Sequence, residues 1–185
     1  MLGLARGGVP VAAGVAAALP APLDVLVVRK VGAPGQPELA VGAVAGGGVR
    51  VLNEDLVRRL RIPEPLLERL VAEELVELRR RELAYRGDRP PAGLTGRTVV
   101  LVDDGLATGA SMLAAVQAAR AERPARVVVA VPVGAPESCA RMAEVADEVV
   151  CLHAPVRFQA VGAHYVDFSQ TTDEEVRRLL ARPPA

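Results

Sequence analysis

With 185 residues, 51% of them apolar, the chain can bury the core of one domain without disulfide or metal staples. Its 22 basic residues balance its 22 acidic ones, which argues against nonspecific nucleic-acid binding. No apolar run is long enough to span a membrane, and Cys139 and Cys151 lack metal-ligand spacing. The cysteines read as buried thiols in a reducing cytoplasm, with a disulfide as the alternative.

A short apolar piece, Leu2 to Leu4, leads through Ala5-Arg6-Gly7-Gly8 into an Ala-rich helix ending before Pro20. Arg6 and the apolar residues from Val9 to Leu19 imitate a secretion signal, but Pro10 and Gly14 interrupt the run. A strand is predicted over Val25 to Val28, with Arg29 and Lys30 at its end. Within the Gly- and Pro-rich stretch Gly32 to Gly48, residues Leu39 to Val44 pair with Val49 to Leu52 as a hairpin. Pro65 to about Arg86 has helical apolar spacing through Leu67, Leu70, Val71, Leu75 and Leu78. Strand Thr98 to Val102, helix Gly109 to Ala121, strand Val127 to Val131, helix Pro136 to Val145 and strand Glu148 to Leu152 then alternate. This is a parallel α/β pattern with helices on both faces of the sheet. A last helix starts near Thr172, where Glu175 completes a capping box.

The stretch from Val99 to Met112 carries the chemistry. A buried strand runs into Asp103 and Asp104, and the next helix opens on small and hydroxyl-bearing residues. Gly105 and Gly109 permit a tight turn, so the amides from Leu106 to Ser111 can converge on an anion at a helix start, with Thr108 and Ser111 adding hydroxyl donors. There is no Lys after the second Gly, which excludes a P-loop. An acidic pair beside a phosphate cradle suits vicinal hydroxyls at one end of a ligand and a phosphate at the other.

The order strand, two acids, two spacers, Thr-Gly-x-Ser resembles the loop that binds 5-phosphoribosyl 1-pyrophosphate (PRPP) in type I phosphoribosyltransferases. The resemblance implies one Rossmann-like phosphoribosyltransferase domain over residues 1–185 with a small C-terminal hood. The family's usual first strand and preceding helix are expected to be cut short here. It implies a pentosyltransferase that moves ribose 5-phosphate from PRPP to a nitrogenous base and releases pyrophosphate, acting with Mg²⁺ as a cytoplasmic homodimer. The alternative is a regulatory protein that senses PRPP without turnover.

By the same resemblance, Gly105, Leu106, Ala107, Thr108, Gly109, Ala110 and Ser111 hold the 5-phosphate. Asp103 and Asp104 hold the ribose hydroxyls, near the Mg²⁺ carried mainly by PRPP. Ala5, Arg6, Gly7 and Gly8 resemble the family's pyrophosphate loop, and Arg29 and Lys30 resemble a basic pair of adenine- and xanthine-type members. Asp103, Asp104, Lys30 and Arg6 are the expected catalytic set. Lys30 is the only lysine in an arginine-rich chain, and its compact charge suits a departing pyrophosphate. An acid stands in hypoxanthine-guanine members where this chain has Ala107, which favours a different purine. Of the four aromatic residues, Phe158, Tyr165 and Phe168 cluster near the C-terminus, and Phe158 and Tyr165 are the candidates to hold the base. Glu73 to Arg89, with Arg79, Arg80, Arg81 and Tyr85, reads as a helix from which one Arg or Tyr85 reaches a phosphate.

Overall fold

In a computed structural model, which describes residues 1–181, the predicted alternation builds a five-stranded parallel sheet. The last four residues of the expected domain, 182–185, lie outside that description. The sheet contains β1 (Leu2–Leu4), β2 (Asp24–Leu26), β6 (Thr98–Val102), β7 (Arg126–Val133) and β8 (Glu148–His153), in the order β2-β1-β6-β7-β8. The three residues of β1 are buried and occupy a central position, in register with β2 on one side and β6 on the other.

The chain between β2 and β6 supplies a second sheet, in which β3 (Val28–Ala33), β4 (Gln36–Ala45) and β5 (Val49–Leu52) pair antiparallel. Here the structure departs from the predicted strand over Val25 to Val28. Parallel pairing stops at Leu26, and Val28 opens β3, so Arg29 and Lys30 sit inside the antiparallel sheet and not at a parallel strand's end. A continuous apolar run carries no mark of the point where pairing partners change. The predicted hairpin of β4 and β5 is present, with β3 as its third strand.

Among the described residues six α-helices flank the sheets: α1 (Gly8–Ala18), α2 (Glu54–Arg59), α3 (Glu64–Arg86), α4 (Ala110–Ala121), α5 (Pro136–Ala143) and α6 (Asp173–Leu180). The short α2 is not visible in the sequence pattern. It is capped by Asn53, whose Oδ1 accepts from Leu56 N at 3.0 Å. At the start of α6, Thr172 Oγ1 accepts from Glu175 N at 3.1 Å, as the capping pattern predicts.

Two cores follow. Leu101, Met112, Val116, Val129 and Met142 place α4 and α5 on one face of the parallel sheet. Val9, Val25, Leu78, Tyr85 and Val176 gather α1, α3 and α6 on the other, together with β3 and β4 through Val31 and Val44. The helices after β1 and β6 therefore leave toward opposite faces, which makes the gap between these strands the topological switch point where α/β folds bind ligands.

Candidate functional site

The loops leaving β1 and β6 meet at this switch point. Gly7 and Gly8 are fixed there by close approach: a Cβ on Gly7 would overlap Asp104 Oδ2. One on Gly8 would overlap the Val102 carbonyl oxygen and lie 3.0 Å from Asp103 Oδ1. The two glycines thus do more than bare their amides, because they let the acid pair lie against the β1 loop.

Neither Asp103 nor Asp104 forms an ion pair among the described residues. Asp103 Oδ1 accepts from Asp104 N at 3.0 Å. Burial, reinforced by the neighbouring Asp104 charge, pushes the Asp103 carboxyl up to about 8; the Asp104 amide and the Lys30 ammonium work against that rise. Asp104 is also raised by burial, less the help of the Gly105 amide. An acid pair held so, without an ion-pair partner among the described residues, is poised for hydroxyl groups or a cation.

After them the chain turns into α4. Leu106 differs from the expectation that its amide faces an anion: its N–H donates to Val133 O at 2.9 Å and its side chain is buried in the core. The cradle therefore begins at Ala107. Gly109 takes the left-handed conformation, φ 76°, at the helix N-cap, and the first amides of α4 have no partner within the helix. From behind, α5 braces the turn through its carbonyls: Ser138 Oγ donates to Ala107 O at 2.5 Å, and Arg141 Nη2 donates to Thr108 O at 2.9 Å. Among the described residues none of the amides of Ala107 to Ser111 donates to a backbone carbonyl, and Ala107 and Thr108 are exposed. Ser138 and Arg141 escape sequence reasoning because they lie about 30 residues away on another helix, and only packing reveals them.

A cavity of about 520 Å³ opens beside the acid pair, lined among others by Arg6, Gly7, Arg81, Asp104, Tyr165 and Phe168. Arg6 Nη1 lies 3.6 Å from Asp173 Oδ1, which also accepts from Tyr85 Oη at 2.8 Å. Tyr85 is buried, and its hydroxyl is pushed up to about 12 by burial and by Asp173. Of the candidates on α3, Arg81 is the one that lines this cavity, whereas Tyr85 supports Arg6 from below. Arg29 turns away and pairs with Glu74 at 2.7 Å. Lys30 is exposed on β3, near enough for its charge to act on Asp103.

The aromatic expectation divides. Tyr165 lines the cavity, but Phe158 stacks on His164 at 6.0 Å between ring centres and does not line it. Phe168 lines the cavity instead, with Gln170 and Ser169 beside it. The segment between β8 and α6 has no periodicity from which ring directions could be read. Cys139 and Cys151, expected to be buried and separate, are both half-exposed free thiols that converge over Gly134. Burial, with Cys151 as neighbour, pushes the Cys139 thiol up to about 11.

A second cavity of about 580 Å³ lies at the amino-terminal ends of β1 and β2, lined by Asp24, Leu26, Arg79, Leu83 and Arg86 among others. Its Asp24 is engaged by Arg86 at 3.0 Å, and it sits at the end of the sheet away from the acid pair. No described helix is long and apolar enough to cross a membrane.

Comparison with known proteins agrees with this geometry. Two Mycobacterium tuberculosis proteins, from strains CDC 1551 and H37Rv and both provisionally named phosphoribosyl transferases, are 53% identical over 182 residues. The match covers 98% of this chain and 41% of theirs, so the chain spans about two fifths of the length of these curated relatives. The crystal structure of TT1426 from Thermus thermophilus is 53% identical and superposes with a TM-score of 0.83, covering 97% of this chain and 85% of that one. Residues 1–166 match the model of the phosphoribosyl transferase domain, and the chain belongs to that family.

Proposed function

We propose that the chain transfers ribose 5-phosphate from PRPP to a nitrogen of a purine base, releasing pyrophosphate. The observation that carries this reading is the half-buried acid pair, free of ion pairs among the described residues, one short turn ahead of the glycine-capped start of α4. That arrangement matches the hydroxyls and the 5-phosphate of one ribose.

In the reaction the bond from C1 to the pyrophosphate oxygen breaks, and that oxygen keeps the electron pair. A base nitrogen forms the new bond and gives up its proton to the departing pyrophosphate or to water. Positive charge grows on the ribose ring, and negative charge grows on the leaving group. Asp103 and Asp104 hold the 2- and 3-hydroxyls and face the growing positive charge, while Arg6, Lys30 and the amides of Gly7 and Gly8 receive the pyrophosphate. The amides of Ala107 to Ser111, with the Thr108 and Ser111 hydroxyls, anchor the 5-phosphate, so most of the catalysis is positioning and electrostatics.

Among the described residues no cluster of three or more His, Cys, Asp or Glu could hold a metal by itself. A pair of carboxylates does fit Mg²⁺ bound chiefly through substrate phosphates, with Asp103 and Asp104 as its neighbours, and the ion would neutralise pyrophosphate charge there. Phe168 and Tyr165 border the side from which the base approaches. The purine preference is supported by the family resemblance at Ala107. A cytoplasmic homodimer is part of the same reading, and sedimentation tests the dimer.

The experiment is pyrophosphate release from PRPP and Mg²⁺ against a panel of purine, pyrimidine and pyridine bases. Release with one purine, matched by its nucleoside 5-monophosphate, is the expected result. PRPP binding without release would make the chain a sensor, and neither binding nor release would end the reading.

A further inference from the structure

The chain from Ala154 to Thr171 borders the cavity, yet none of its side chains is buried. Leu152, Val156 and Val166 around and within it are largely exposed, at 80%, 97% and 111%. A segment with so little apolar burial has no core of its own, so its place depends on a few specific contacts. Three are present. Tyr165 Oη donates to the backbone carbonyl of Asp104 at 2.6 Å. Val161, in a short 3₁₀ turn, lies against Gly105 so closely that a Cβ there would be 2.5 Å from Val161 Cγ1. Phe168 folds back on the same turn, where a Cβ on Gly162 would be 2.7 Å from its ring, and its ring centre is 5.1 Å from that of Tyr165.

From these contacts we infer that Tyr165 is a positioning residue and not a contact for the base. Its hydroxyl ties the segment carrying Phe168 to the Asp104 peptide, so that the base side of the cavity and the ribose-holding acids keep one spacing. The hydroxyl is committed to a protein carbonyl, which leaves Phe168 as the ring free to face an incoming heterocycle. The role of the tie in turnover rests on the transferase reading, whereas the tie itself does not.

The test therefore has two independent readouts on the full chain. Tyr165→Phe keeps the ring and removes the donor. Amide hydrogen exchange in the segment from Asp103 to Gly105 and from Val161 to Phe168 should speed up about tenfold in this variant, as expected when one specific contact holds an otherwise weakly buried segment. In the pyrophosphate-release assay its kcat should fall by about tenfold with the KM for the base within about twofold, the signature of lost alignment without lost binding. Phe168→Leu should do the opposite, raising the KM for the base more than it lowers kcat. Val161→Ala, which loosens the same junction from its other side, should reproduce the exchange change.

Unchanged exchange in both Tyr165→Phe and Val161→Ala would overturn the inference. So would a Tyr165→Phe variant with raised KM and unchanged kcat, because the hydroxyl would then be a contact for the base. A wild-type protein that releases no pyrophosphate with any base would overturn the transferase reading instead, and the exchange comparison would decide the tie alone.

Discussion

The arginine-rich middle of α3 and the acid pair after β6 are both densely charged, and they are built on opposite terms. In the middle of α3 most charges meet an opposite one: Glu77 accepts from Arg80 at 2.7 Å and from Arg81 at 2.8 Å, which holds its carboxyl down at about 2, Arg69 lies 3.8 Å from Glu73, and Glu74 pairs with Arg29 of β3 at 2.7 Å. Such pairs on an exposed helix face contribute little and cost little. The acid pair is half-buried, forms no ion pair among the described residues and carries a carboxyl raised to about 8. A fold tolerates that cost where a ligand offsets it, so an unanswered charge says more about function than a dense cluster of answered ones.

The largest effect expected from this contrast comes from replacing both Asp103 and Asp104 with Asn. Turnover should fall by about a hundredfold or more, because the charge facing the ribose in the transition state is gone, while PRPP binding by calorimetry weakens only modestly. The side chains face the cleft, and the variant should fold; unchanged turnover would remove the pair from the mechanism. Gly7→Ala comes next. Its methyl overlaps Asp104 Oδ2, and the displaced carboxylate should cost about tenfold in turnover. Thermal unfolding should show a stability loss of about 1–3 kcal/mol from overpacking.

Lys30→Ala should lower kcat by about tenfold, whereas Arg80→Ala, on the exposed side of the Glu77 pair, should stay within about twofold of wild type. Equal damage from both would turn α3 into part of the machinery. The smallest effect is one of stability. Asp103 sits at about 8 in the fold against 3.8 for an unperturbed Asp, so the folded state holds this proton more tightly than the unfolded chain. The stability linked to it is complete below the unfolded value and is lost as pH rises through 8. Asp103→Asn should therefore match wild type in Tm near pH 4 and exceed it by about 5 °C near pH 9. A constant difference across that range would contradict the buried, raised carboxyl.

Much of this is legible in the chain. The alternation from Thr98 to His153 announces the parallel sheet, because its strands are apolar runs of ordinary length bounded by turns, and the acid loop stands out by composition alone. Besides α2 and the bracing by Ser138 and Arg141, three points are not legible. Leu106 takes its expected role from its place in a motif, although an apolar residue there is bound to enter the core and take its amide with it. Arg29 and Lys30 look like a pair, yet neighbours on a strand point to opposite faces: Arg29 reaches Glu74 on α3, and Lys30 stays exposed. The exchange of Phe168 for Phe158 lies in a segment without periodicity, where only the contacts of Val161 and Tyr165 decide which ring lines the cavity.

The most direct measurement is a crystal structure of the chain with PRPP and Mg²⁺. The account predicts the 5-phosphate on the amides of Ala107 to Ser111, with the Leu106 amide still on Val133 and the ribose hydroxyls on Asp103 and Asp104. A 5-phosphate bound elsewhere, with the acid pair facing only solvent, would contradict it.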